Sequence, residues 1–169
     1  MTTTTPTVPT EQTEQTTLIE ITDPRQRLVF VPRLFATALG EQMVATFLHR
    51  HSNYDGGFWR FFEVPRGISG QVAAWTEICT TRPTGYIVPP EGVYRLCIPG
   101  NYFDEEVSAD AAGIIATLFV LNQLCWKVSE MGPEYALTCQ GLADRQDALK
   151  DYVSIINHPE SRQIFRAID

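Results

Sequence analysis

The sequence predicts an α+β fold: a small antiparallel sheet of about three or more strands packed with about four helices in a single domain. Three observations predict it. Short β-type runs cluster in the middle of the chain and helical periodicities cluster after them, without the strand–helix alternation of a parallel α/β sheet. The stretch after Ser108 is apolar around most of a helical circumference, as expected of a central, buried helix. The chain has 169 residues, 44% hydrophobic and 20% charged, which is enough for one proper core.

In chain order, residues 1–17, "MTTTTPTVPTEQTEQTT", are Thr-rich and nearly free of apolar side chains. Such a segment buries too little surface to offset its ordering entropy, so a disordered tail is expected, with the domain spanning 18–169. Leu34, Phe35, Ala38, Leu39, Met43, Val44, Phe47 and Leu48 recur at helical spacing, which predicts one helix starting at Pro32 and ending at Asn53. Asp55, Gly56 and Gly57 make a turn, with positive φ at a glycine. "FWRFFEV" at 58–64 reads as a strand with rings on both faces, hence a central one. Residues 66–84 hold a short helix or a further strand. The runs 85–88 and 93–98, joined through Pro89, Pro90, Glu91 and Gly92, read as an antiparallel hairpin. Asp104, Glu105 and Glu106 are expected in a loop. Ser108 then caps the longest helix, which runs to about Met131 and is ended by Gly132 and Pro133. A further helix covers about 134–156, with Gly141 as a break or bend. The last helix is capped by Asn157 or His158 with Pro159 in its first position.

The net charge of −7 opposes direct nucleic-acid binding, which needs clustered Lys and Arg. It leaves open an acidic imitation of DNA, although thirteen bases dilute the twenty acids. No stretch reaches the roughly 18 uninterrupted apolar residues of a membrane span, and the first residues lack the pattern of a secretory signal, so no membrane partner and a cytoplasmic location are expected. Cys79, Cys97, Cys125 and Cys139 form no C-x-x-C pair and are expected to be buried structural thiols.

Asp104, Glu105, Glu106 and Asp110 place four carboxylates within seven residues, and no Lys or Arg occurs between Arg95 and Lys127. Three readings stand side by side: a metal-dependent hydrolytic site, a patch facing a basic partner, or a solvated helix start in which Asp110 complements the helix dipole. No histidine accompanies the cluster in sequence, and His49 and His51, two apart on a helix, point to different faces. There is no G-x-S-x-G elbow, P-loop or dinucleotide fingerprint. Cys97 has no base nearby in sequence, so an inert thiol is expected rather than a nucleophile. Trp59, Tyr102 and Phe103 either plug the edge of the core or, exposed, anchor a partner.

Two blocks carry a family resemblance. "YDGGFWRFFEV" at 54–64 and "PGNYFDEEVSADAAGIIATLFVLNQL" at 99–124 resemble the signature of the ArdB/KlcA antirestriction family. Tyr54, Gly56, Gly57, Phe58, Trp59 and Phe61 match a Y-x-G-G-F/Y-W-x-F segment. Gly100, Asn101, Tyr102, Phe103, Glu106, Ser108, Ala109, Asp110, Ala111, Ala112, Gly113 and Ile114 match G-N-Y-F-x-x-E-x-S-A-D-A-A-G-I. The resemblance spans about residues 28–169, with a longer link at 66–84. It implies a small α+β protein of plasmids and other mobile elements that protects incoming DNA from type I restriction. It further implies a non-enzymatic inhibitor of the type I restriction-modification complex, with no catalytic residue, metal or cofactor, distinct from acidic DNA mimics. Asp104, Glu105 and Glu106 are the candidate contact patch, and Gly113 is expected to permit close packing of a neighbouring element.

Overall fold

The computed structural model describes residues 17–169. The expected tail therefore lies, except for its last residue, outside the described residues. In chain order the elements are β1 (Ile19–Glu20), α1 (Pro24–Phe35), α2 (Gly40–His51), β2 (Arg60–Val64), β3 (Ser69–Ala73), β4 (Thr76–Cys79), β5 (Thr84–Val88), β6 (Val93–Ile98), β7 (Phe103–Ser108), α3 (Ala109–Ser129), α4 (Ala136–Ile155) and α5 (Ser161–Ile168). The α+β class holds, and all strand pairs are antiparallel.

The helix expected from Pro32 is two helices. Asp23 caps α1 by accepting from the Arg25 N–H at 2.9 Å, and Pro24 occupies the first turn, where its missing N–H costs nothing. Pro32 lies inside α1 rather than at its start. The chain then leaves the helix at Ala36, in the left-handed region at φ 57°, and α2 departs at a bend of 74°. Gly40 sits against the Phe35 ring, where a Cβ would overlap it, so the end of α1 and the start of α2 pack closely across the turn.

The three-stranded sheet has the order β1-β2-β5, so β2 is central as expected. Its strand is shorter than the aromatic run: Phe58 falls outside and is fully exposed, whereas Phe61, Phe62 and Val64 are buried. Residues 66–84 contain the β3–β4 hairpin. Buried Thr80 ties its base down, accepting from the Ile68 N–H and donating to the Pro65 carbonyl, both at 2.9 Å.

The expected 85–98 hairpin does not form. β5 pairs with β2, from Arg60↔Val88 to Val64↔Thr84, and β6 pairs with β7, from Val93↔Ser108 to Ile98↔Phe103. Burial explains the separation. Every position of β5 is buried, whereas β6 alternates between exposed and buried and therefore has one wet face. Pro89 and Pro90, which lack N–H donors, carry the chain from one layer to the other. Asp104, Glu105 and Glu106 accordingly lie on a strand, not in a loop.

α3 packs through the centre. It is long and apolar enough to cross a bilayer, yet Ala111, Ala112, Ile114, Ile115, Ala116 and Leu121 are completely enclosed by the protein, as in the core helix of a globular fold. Gly113 faces β5 so closely that a Cβ would run into the Ile87 carbonyl and lie 2.9 Å from the Val88 Cα. Four residues on, Thr117 Oγ accepts from the Ile87 N–H at 3.3 Å, which serves the edge of β5 that has no strand neighbour. α4 continues through Gly141 without a break. α5 begins at Ser161, two residues after the expected Pro159. The turn before it is set by His158, whose ring accepts from the Glu160 N–H at 3.0 Å and whose carbonyl accepts from the Ser161 N–H at 3.0 Å.

Candidate functional site

The acidic strand β7 forms a two-stranded ribbon with β6. Antiparallel pairing brings Arg95 opposite Glu106 and one step from Asp104. Arg95 Nε and Nη2 donate to the two Asp104 oxygens at 2.9 and 3.0 Å. This bidentate bond holds the Asp104 carboxyl below the usual aspartate value, although both side chains are exposed. The sequence-distant base was legible only through the β6–β7 pairing. Glu105 and Glu106 are exposed and have no ion-pair partner among the described residues. Phe103 and Val107 turn into the core beneath them.

Side chains cover the β6 flank of the ribbon and the two ends of the β7 flank. On the β6 side, Asn53 mimics a neighbouring strand: its Oδ1 accepts from the Arg95 N–H at 3.0 Å and its Nδ2 donates to the Val93 carbonyl at 3.3 Å. A His51 ring nitrogen lies 3.1 Å from the Cys97 carbonyl. On the β7 side, Glu160 accepts from the Ser108 N–H at 2.9 Å, and Arg166 Nη1 donates to the Asn101 carbonyl at 2.9 Å. The Asn101 side chain donates to the Ala167 carbonyl at 2.7 Å.

Asp110 belongs to a different constellation. Its Oδ1 accepts from the Tyr86 hydroxyl at 3.1 Å, and its Oδ2 lies 2.9 Å from His158 Nε2. Because the Glu160 N–H donates to Nδ1, that nitrogen is the acceptor, so Nε2 carries the hydrogen and donates to Asp110. Ser108 Oγ donates to the Glu160 carboxylate while accepting from the Ala111 N–H at 3.2 Å as the cap of α3. Burial, and then the neighbouring Asp110, pushes the Tyr86 hydroxyl far above the tyrosine range. Tyr86, Asp110, His158, Glu160 and Ser108 thus clamp the start of α5 to the start of α3. Sequence reasoning found Ser108 and Asp110 but missed His158, Glu160 and Tyr86, which no local spacing connects to them.

This arrangement decides between chemistries. The four carboxylates of 104–110 diverge: Asp104 turns to Arg95, Glu105 and Glu106 are exposed on opposite faces of the strand, and Asp110 turns to Tyr86 and His158. Among the described residues no three His, Cys, Asp or Glu side chains converge as metal ligands. Neither nitrogen of His158 is open to take a proton from a substrate, and the Ser108 hydrogen is held by Glu160. The 104–110 carboxylates therefore do not converge on one point.

The aromatic block divides. Trp59 and Phe103 are buried, with the Tyr54 ring 5.2 Å from Trp59. Gly56 and Gly57 both hold positive φ, at 121° and 127°, and a Cβ on Gly57 would meet Pro90. Tyr102 takes φ 52° and is exposed, as is Phe58. Gly100 has open space around its Cα. Phe58 borders a surface groove of about 370 Å³ with Leu28, Val31, Pro32 and Trp59, and Arg27 and Glu41 at its rim. Of the cysteines expected to be buried, Cys79 and Cys97 are exposed and Cys125 and Cys139 half-buried. The outward faces of β4 and β6 put the first two in solvent.

A family model described as antirestriction protein matches residues 71–169. An antirestriction protein KlcA of Escherichia coli is 36% identical over 151 residues, spanning 85% of this chain and 87% of its own. A second KlcA of that species is 35% identical over 150 residues, spanning 85% and 89%. The putative antirestriction protein YubI of E. coli strain K12 is 31% identical over 153 residues, spanning 85% and 89%. A solved structure superposes with a TM-score of 0.65 at 30% identity, covering 93% of this chain and 99% of that one. It comes from a study of the KlcA and ArdB proteins that describes a novel fold and antirestriction activity against Type I DNA restriction systems in vivo but not in vitro.

Proposed function

The chain belongs to the antirestriction protein family, and from that premise we propose that it is a non-enzymatic inhibitor of type I restriction-modification systems. It works by binding the restriction complex in the cytoplasm, and it protects incoming DNA of plasmids or other mobile elements. The observation that carries the non-enzymatic reading is the divergence of the 104–110 carboxylates, with both His158 nitrogens engaged. A net charge of −7 speaks against gripping DNA directly. The outward face of β7 supports a contact with a basic protein surface. Charge contacts of this kind raise encounter rate and specificity more than they raise affinity.

The related proteins are described as active in vivo but not in vitro, so the test belongs in cells. Unmodified phage is plated on a type I restricting host with and without the chain. Protection is expected, and unchanged restriction across several type I hosts overturns the inhibitor reading. The variant Asp104→Asn/Glu105→Gln/Glu106→Gln is compared with the parent. Exposed charges contribute little to stability, so a loss of no more than about 1 kcal/mol is expected. Protection is expected to fall. Full protection by a folded triple variant removes β7 from the contact surface and leaves the inhibitor reading standing.

A further inference from the structure

α3 and α4 bring together two cysteines that lie fourteen positions apart in sequence. Cys125 and Cys139 have their sulfurs 3.2 Å apart. Each sulfur also lies against the other residue's carbonyl, at 3.5 Å for Cys125 Sγ and 3.6 Å for Cys139 Sγ. These reciprocal contacts mean that the two backbones approach closely and that both side chains point at each other. A disulfide requires sulfurs about 2.05 Å apart. The remaining gap is about 1.1 Å. Both thiols are half-buried and line a surface cavity, so a small oxidant reaches them. A surface cavity of about 310 Å³ is lined by Cys125, Cys139, Asn122 and Trp126, and a second of about 440 Å³ opens on Cys139 from the side of Gly132 and Pro133.

We propose that Cys125 and Cys139 form a redox-active dithiol that closes reversibly to a disulfide joining α3 to α4. The oxidant is a small peroxide. The Cys139 sulfur, which lines both cavities, attacks one peroxide oxygen. The O–O bond breaks, and the leaving hydroxide takes the thiol proton and departs as water, leaving a sulfenic acid. The Cys125 sulfur then attacks the Cys139 sulfur. The S–O bond breaks, and the second water departs with the Cys125 proton. Two thiols lose two electrons and the peroxide gains them. Burial, reinforced by the neighbouring Cys139, pushes the Cys125 thiol up to about 11. The thiolate is the attacking form, so the second step, in which Cys125 attacks the Cys139 sulfur, accelerates as pH rises toward that value. This inference is independent of the proposed partner.

The test uses the full chain carrying Cys79→Ser and Cys97→Ser, which removes the two exposed thiols. It is treated with hydrogen peroxide and digested with trypsin without reduction. Lys127 lies between the two cysteines, so cleavage there separates them unless sulfur joins them. The expected result is one linked peptide pair, lighter by two hydrogens, and a melting temperature raised by about 6–12 °C, from the loop-closure entropy of about fifteen residues in a domain of this size. Dithiothreitol reverses both. Cys139→Ser and, separately, Cys125→Ser abolish both. Sulfinic acid on Cys139 without a linked peptide overturns the proposal, as does a rise in melting temperature that survives in either serine variant.

Discussion

Replacing Asp110 with alanine tests the clamp between α3 and α5. The carboxylate accepts from two donors that have almost no access to solvent: the Tyr86 hydroxyl, on a residue 1% exposed, and His158 Nε2, on a residue 6% exposed. Orphaning a buried donor costs about 1–3 kcal/mol, and the lost charge in the first turn of α3 adds about 0.3–1 kcal/mol. The Asp110 side chain itself is 44% exposed, so water enters the vacated volume and satisfies part of the deficit. The expected loss is therefore about 2–4 kcal/mol, well beyond the ±0.5 kcal/mol usual for a surface substitution. Urea denaturation reads it as a midpoint lowered by about 1–2 M at unchanged slope. A loss below about 0.5 kcal/mol refutes the reasoning, because the donors would then have alternative partners. A double-mutant cycle with His158→Ala sharpens the result. Residues in direct hydrogen-bonded contact couple by about 0.5–3 kcal/mol, and strictly additive losses contradict the pairing.

Gly113→Ala sets two effects against each other: a helix-propensity gain of about 1 kcal/mol and overpacking against the immobile backbone of Ile87 and Val88, costing about 3 kcal/mol. A net destabilisation of about 2 kcal/mol by chemical denaturation is expected, and any stabilisation means that α3 does not press on β5 there. Asp104 titrates below the ordinary aspartate value because Arg95 binds it, so its contribution to stability is present above the unfolded pKa of about 3.9 and is lost as pH falls through the lower folded value. Carboxyl NMR titration of Arg95→Ala returns Asp104 to the ordinary range; an unchanged Asp104 titration contradicts the ion pair. Phe58→Ala leaves stability within about 0.5 kcal/mol, because the ring is fully exposed; a loss above about 2 kcal/mol by urea denaturation shows that Phe58 packs on the groove wall.

Local rules reached as far as local physics does. The cap at Ser108, the glycine-proline stop at 132–133, the aromatic strand and the glycines at 56–57 are set by neighbours in sequence, and they were legible. The break at Ala36 was not, because Ala38 and Leu39 continue the apolar spacing although both are exposed in the turn between α1 and α2. The strand pairing was misread for a related reason. Residues 85–88 and 93–98 have the length and turn chemistry of a hairpin, and only burial of both faces of β5 assigns them to different layers. That misreading concealed the site. With β6 assigned to β5, Arg95 has no reason to lie near Asp104, and the acidic run looks unpaired. The link from Asp110 to His158, forty-eight residues away, depends on how α5 folds back over α3, which no spacing encodes.

The manner in which β7 is held bears on how a partner meets it. Ser108 is both the last residue of the strand and the cap of α3, so the acidic face joins the most buried helix without an intervening loop. Asn53 and His51 occupy one flank of the ribbon, and Glu160 and Arg166 occupy the two ends of the other. A partner strand extending the ribbon would have to displace these side chains. What β7 offers freely is its carboxylates, of which Asp104 is already neutralised by Arg95. Consecutive strand residues point to opposite faces, so a partner on the Arg95 side would read Glu106 beside the Arg95–Asp104 pair on a rigid mount, while Glu105 lies on the other face. A rigid mount spares the ordering entropy that a loop loses on binding. Because these carboxylates are exposed, salt screens the attraction beyond about a Debye length, so it is sensitive to ionic strength.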